Sequence, residues 1–198
     1  MGLKDSFQFI DLFTFDPSSA AEFGIPVDQC KGMILLFPLS PNDKAEERAI
    51  DNSAGPKFIQ QTIENSCCLM ALLHLLLNNS HELLKNESDL PEIMKVLQSK
   101  SEGNELLIEN SVELKEIHES IAKAGGTDVS SLEDDVPFHF VALIPFNNAI
   151  WLMDGRRSGP IEFKTFDGCF FDSACKISNE EFVQKSEDQT NFAAVILV

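Results

Sequence analysis

Gln60-Gln61-Thr62-Ile63-Glu64-Asn65-Ser66-Cys67-Cys68 opens onto Leu69-Met70-Ala71-Leu72-Leu73-His74-Leu75-Leu76-Leu77. From Ser66 to Leu77 the residues are apolar on nearly every side, the composition of a buried helix. Asn65-Ser66 offers N-cap side chains immediately before it. A cysteine at the start of such a helix meets unpaired N–H groups and the positive end of the helix dipole, both of which stabilise a thiolate. Gln61 stands six residues upstream of Cys67. From there its amide can donate to an oxygen next to the sulfur, as an oxyanion hole requires, together with the N–H of the nucleophile itself. Against this, a cysteine on an apolar helix is more often packing than chemistry. Cys67 therefore counts as a nucleophile only if a histidine elsewhere serves it.

His139 and Asp154 meet that condition. Phe138 to Phe146 and Ala149 to Met153 read as two strands with Asn147-Asn148 as the turn between them. His139 lies in the first strand, and Asp154 ends the return strand just before Gly155. A hairpin sets such strands side by side, so the carboxylate can face the imidazole and fix its tautomer. Cysteine, histidine and a carboxylate in this relation form the activated-nucleophile pattern of thiol hydrolases. The competing histidines fit less well. His74 lies two helical turns beyond Cys67 and reads as packing, while His81 and His118 fall near polar helix ends.

Further out, Phe7 to Phe13 reads as a short strand ending in a turn at Asp16-Pro17, and Met33 to Phe37 as a buried strand closed by Pro38. Residues 40–57 read as a loop with one helical turn near Ala45 to Ile50. Leu90 to Gln98 and Glu105 to Lys123 carry helical patterns, Glu180 to Lys185 a short helix, and Phe192 to Val198 a closing strand. Ala124 to Pro137 is rich in Gly, Ser and Asp and long enough to be a functional loop. Helices crowd the middle and strands the ends, which predicts an α+β fold.

The 198 residues carry 32 acidic and 15 basic side chains, a net charge of −17. Nucleic acid is an unsuitable partner for such a surface, whereas a basic protein suits it. Forty-three per cent of the residues are hydrophobic, enough for the core of one domain spanning 1–198. No apolar run is long enough to cross a bilayer, and no secretory start is present. Five cysteines, an odd number without CxxC spacing, predict free thiols in a reducing compartment, the cytoplasm and also the nucleus, and no metal site. No cofactor signature is visible.

Gln61-Thr62-Ile63-Glu64-Asn65-Ser66-Cys67 resembles the QTIxNxC signature of the ubiquitin carboxyl-terminal hydrolases. His139-Phe140 and Leu152-Met153-Asp154-Gly155-Arg156 resemble that family's HF…ELDGR block. The resemblance implies Cys67 as nucleophile, His139 as base and acid, Asp154 as its orienting partner and Gln61 in the oxyanion hole. It implies a papain-like cysteine protease fold, a central antiparallel sheet flanked by helices, in a chain that is knotted in full-length relatives. A loop at about Glu119 to Pro137 is expected to cross the active site and limit the leaving group. Asp11 and Asn65 are implied as substrate contacts, Asp11 with basic residues of the ubiquitin tail.

The implied activity is thiol-dependent hydrolysis of ester, thioester, amide or isopeptide bonds at the C-terminal glycine of ubiquitin. NEDD8 stands as the related modifier, and the protein is expected to be a monomer. Three features depart from the family pattern. The Trp-x-Pro-Leu-Glu…Asn-Pro segment that usually precedes Gly-Leu is missing, Cys68 replaces the small residue after the nucleophile, and Asn147-Asn148 replaces an Asp-Gly turn. The first two leave an alternative: a truncated or catalytically impaired ubiquitin-binding protein.

Overall fold

The computed structural model describes residues 4–39, 55–83, 92–99, 108–124, 138–166, 168–186 and 190–198. Its centre is strand β2 (Gly32–Pro38), apolar in every position after its glycine. A strand that is apolar on both faces has to be covered on both, and here it is. Met33, Leu35 and Phe37 point to one side, into a cluster with Val141, Leu143, Ile150, Leu152 and the helix α5 (Phe170–Ile177). Ile34 points to the other, joining Ala142, Ile144, Met153 and the long helix α2 (Cys67–Leu83). Burying each large side chain of this set contributes roughly 1.5–3 kcal/mol.

Six strands form one antiparallel sheet in the order β1-β6-β2-β3-β4-β5. They are β1 (Phe9–Leu12), β2, β3 (Phe138–Phe146), β4 (Ala149–Met153), β5 (Ile161–Thr165) and β6 (Ala193–Leu197). With α2 on one face and α5 on the other, this is the α+β arrangement expected. The β3–β4 hairpin turns at Asn147 and Asn148, whose φ values of 49° and 59° are those of a type I′ turn. Asparagine tolerates that left-handed backbone, which is why the pair can replace Asp-Gly.

Several elements differ from the sequence reading. Asp16-Pro17 starts a helix, α1 (Pro17–Glu22), instead of a simple turn: the Asp16 carboxylate accepts from the Ser18 and Ser19 N–H groups, and Pro17 occupies the first turn. α2 continues past Leu77 to Leu83 because Asn79 and Ser80 turn their polar atoms onto carbonyls of the helix itself. α3 (Glu92–Ser99) overlaps the helix read over Leu90 to Gln98, of which residues 90 and 91 lie outside the described residues, whereas the pattern over Glu105 to Lys123 is broken at Ser111, after which α4 runs from Val112 to Ala124. The short helix at Glu180 to Lys185 proves to be largely a π-helical turn (Ser178–Val183) continuing α5. Among the described residues no helix is long and apolar enough to span a membrane. The expected loop over residues 40–57 falls mostly outside the described residues; of the crossing loop expected at about Glu119 to Pro137, Glu119–Ala124 is instead the end of α4, and 125–137 lies outside the described residues.

Candidate active site

The register of the hairpin explains how His139 meets Asp154. Ala142 pairs with Met153, so by continuation Asp154 lies opposite Val141. His139 is two residues from Val141 and shares its face, since side chains alternate with period two. His139 and Asp154 are therefore diagonal neighbours across the strands, close enough for long side chains to touch. His139 Nε2 lies 2.7 Å from Asp154 Oδ1, with both side chains almost wholly buried. The imidazole and the Phe37 ring stand perpendicular, with centroids 5.7 Å apart, a contact that restrains the plane of the histidine.

Cys67 is the first residue of α2. Ser66 precedes it, and its carbonyl accepts the opening helical bond from Met70 N–H at 2.9 Å. The Ser66 hydroxyl does not serve as the expected side-chain cap; it donates to Ile63 O at 2.7 Å and so braces the approach turn. That turn passes through Asn65 in the left-handed region, φ 54°. The His139 side chain and the backbone N–H groups of Phe140 and Cys68 act on the thiol and favour its anion. Because Nε2 is engaged by Asp154, Nδ1 is the ring nitrogen left to serve the thiol.

The charges follow from these contacts. Burial pushes the Cys67 thiol up, but the His139 hydrogen bond and the Phe140 N–H outweigh it, and the net direction is down. For His139, burial acts downward and is outweighed by the hydrogen bonds to Asp154 and Cys67, so the net direction is up. The two opposite movements favour a thiolate–imidazolium pair that titrates as a unit. Burial also pushes the Asp154 carboxyl up; the His139 hydrogen bond and the Arg156 guanidinium override it and hold the acid well below the usual carboxylate range.

The sequence reading does not single out Arg156 and Arg157, although a basic pair next to a buried acid is the available signal. Arg156 Nε and Nη2 reach Asp154 at 3.3 and 3.2 Å. Arg157 Nε makes an ion pair with Asp154 Oδ2 at 3.3 Å. Gly155 is legible only as a turn residue, yet its place is set by contact. A Cβ there would fall 3.0 Å from Gln61 Cβ and 3.4 Å from Met70 Cβ. Its carbonyl accepts from Gln61 N–H at 2.8 Å. Gln61 is thus held against the turn that carries Asp154, with its Nε2 donating to Ile63 O at 3.1 Å and its Oε1 buried without a hydrogen-bond partner.

Cys67, His139, Asp154 and Gln61 therefore come together. Asn65 is exposed on the approach turn beside them, whereas Asp11 is not brought to the same cluster. Asp11 lies on the edge strand β1, separated from β3 by β6 and β2, about 14 Å of lateral spacing. Among the described residues no group of His, Cys, Asp or Glu is arranged to hold a metal.

Cys68 is exposed on the next helical position, and its thiol is pushed up by partial burial and by the neighbouring Cys67. Burial drives Cys30 and Cys175 further, to about 12. Substoichiometric iodoacetamide at neutral pH is therefore expected to carboxamidomethylate Cys67 before Cys68, as read by peptide mapping. Faster labelling of Cys68 would contradict the electrostatics just described.

The family model for ubiquitin carboxyl-terminal hydrolase, family 1, matches residues 1–183. Ubiquitin carboxyl-terminal hydrolase isozyme L1 from Macaca fascicularis and from Homo sapiens are each 26% identical over 207 aligned positions, covering 100% of this chain and 90% of theirs. The catalytic domain of Trichinella spiralis UCH37, solved bound to ubiquitin vinyl methyl ester, superposes with a TM-score of 0.71 at 25% identity, over 97% of this chain and 85% of that one. The thiol, imidazole and carboxylate thus sit in a fold shared with these hydrolases, and the chain belongs to the ubiquitin carboxyl-terminal hydrolase family.

Proposed function

We propose that this protein hydrolyses bonds at the C-terminal glycine of ubiquitin, with Cys67 as nucleophile, His139 as acid and base, Asp154 as the group that orients His139, and Gln61 as an oxyanion donor. The observation that carries the assignment is the buried imidazole held between a thiol and a carboxylate. Cys67 thiolate attacks the glycine carbonyl, forming a C–S bond. The resulting oxyanion is met by the Cys67 N–H and the second N–H of the Gln61 amide. Collapse breaks the bond to the leaving amine, alcohol or thiol, which takes its proton from the His139 imidazolium. Neutral His139 then removes a proton from water, which attacks the thioester and expels the thiolate.

Asp11 and Asn65, both exposed, are assigned to the bound ubiquitin tail, Asp11 through its basic residues. The net charge of −17 supports long-range attraction of such a tail, weakened by salt. We place NEDD8 as a secondary substrate, and assign the protein to the cytoplasm and nucleus as a monomer.

The test is intact mass after incubation with ubiquitin carrying a C-terminal vinyl methyl ester. One adduct mapped to Cys67, and none with Cys67→Ser, is the expected result. A folded wild-type chain that forms no adduct overturns the proposal in favour of a binding protein without turnover. For Gln61→Ala, loss of one oxyanion donor is expected to lower kcat by about 10²–10³ while leaving ubiquitin affinity intact, as steady-state kinetics on a fluorogenic ubiquitin amide would show.

A further inference from the structure

Among the described residues, the segment that delivers Gln61 has no strand beside it. It runs extended from Lys57 to Gln61 across the side of α2, and its alternate residues are tied down one by one. Lys57 N–H donates to Asn78 Oδ1 at 2.8 Å, and Asn78 Nδ2 donates to Lys57 O at 2.9 Å. Two residues on, both main-chain groups of Ile59 meet one atom. His74 Nε2 lies 3.0 Å from Ile59 N and 2.9 Å from Ile59 O. Two further on, Gln61 N–H donates to Gly155 O at 2.8 Å.

His74 and Asn78 are one helical turn apart on the same face of α2. Asn78 Nδ2 also donates to the His74 carbonyl at 2.8 Å, which sets the amide in place. Their side chains stand where the edge of a neighbouring strand would stand, offering a donor and an acceptor at a two-residue spacing.

We infer that His74 and Asn78 are positioning residues that hold the 57–61 arm in register, and through it the Gln61 amide, against the oxyanion. The inference rests on the oxyanion role proposed above for Gln61.

His74 suits this task because it is wholly buried and neutral. Burial drives its pKa down to about 4 despite nearby backbone carbonyls and the Asp154 charge. In either neutral tautomer Nε2 engages Ile59, as donor to the carbonyl or acceptor from the N–H. Phe58 stacks on the ring, with centroids 4.8 Å apart and planes at 15°, so the imidazole cannot swing away without losing that face. A polar side chain kept inside an apolar helix face costs stability unless its bonds are made. Here Nε2 makes its bond to the arm, which ends at the site, while Nδ1 is buried without a hydrogen-bond partner.

A double-mutant cycle separates this role from simple support of the fold. His74→Leu removes the bonds to Ile59, and His74→Gln restores an amide near the Nε2 position. With a fluorogenic ubiquitin amide as substrate, His74→Leu is expected to lower kcat by about 10²-fold with KM little changed, the scale of a 1 Å misplacement. On a Gln61→Ala background the same substitution should cost less than about threefold, because the group it positions is gone. His74→Gln should recover most of the lost kcat.

Equal losses on the two backgrounds would overturn the inference, as would unchanged kcat in His74→Leu. If that variant fails to fold, Asn78→Ala, at a half-buried position, carries the same cycle with the same two outcomes. Absence of turnover by folded wild-type protein would instead refute the proposed activity, so the two failures are distinguishable.

Discussion

Cys67→Ala is expected to lose turnover of a ubiquitin C-terminal amide by on the order of 10⁶, the scale seen when a covalent nucleophile is removed. The fold should survive the change. Cys67 occupies the first position of α2, where alanine is well tolerated, and the helix is held by Met70, Leu73, Leu75 and the rest of its buried face. Ubiquitin binding should survive too, since the substitution removes a single half-buried sulfur with the charge it carries and leaves every other side chain in place. Kinetics, a thermal melt and a titration with ubiquitin therefore suffice. Residual turnover within about a hundredfold of wild type, from a preparation free of wild-type enzyme, would remove Cys67 from the mechanism.

Asp154→Asn is expected to be the second most damaging change, lowering kcat by about 10⁴, by analogy with removal of the acid in other triads. The asparagine can keep a hydrogen bond to His139, but it supplies no charge and lets the ring take the wrong tautomer. A shift in pH dependence should accompany the loss. In the wild type the Cys67 pKa is lowered and the His139 pKa raised, so both move toward the range where thiolate and imidazolium coexist; the acid step forms that pair and the alkaline step removes its proton. Activity is therefore a bell between those two steps. Asp154 contributes to the upward movement of His139 both by hydrogen bond and by charge. Its neutralisation should bring the alkaline limb to lower pH and narrow the bell. An alkaline limb that stays in place, measured as kcat/KM across pH, would mean that another group governs it.

The protein's stability should respond to pH in two senses. His139 is bound more tightly as imidazolium in the fold, so its contribution is fully present below the ordinary histidine pKa and disappears as pH rises through the raised one. Asp154 acts oppositely, contributing above the ordinary carboxylate range and failing as acid protonates it.

Those parts of the fold whose cause is local were legible in the sequence. Gly32–Pro38 announces a central strand because its residues are apolar without alternation, and Asn147-Asn148 announces a hairpin because few other pairs accept φ values above zero. Cys67, His139 and Asp154 followed from a helix start and a hairpin, features that need no knowledge of the remaining chain. What escaped notice depends on partners distant in sequence or on weak local punctuation. α5 begins at Cys169 with no side-chain cap, so no start signal precedes Phe170. β5 pairs with β4 across an irregularity at Ile150 and Trp151, which breaks the expected alternation. His74 reads as packing in a one-dimensional pattern, because its bonds are to Ile59 and only the folded chain brings that backbone alongside.

The position of β6 has a consequence in time. The last strand in the sequence lies between β1 and β2, and among the described residues it gives β1 its only pairing. During synthesis the sulfur, the imidazole and the carboxylate all leave the ribosome before that strand does, while Phe9–Leu12 must wait for it. A nascent chain thus holds every reactive group before it holds the complete sheet. Pairings that join opposite ends of a sequence form slowly and late, so the final strand acts as a timer, and the sheet becomes whole only when it slides between two neighbours made long before.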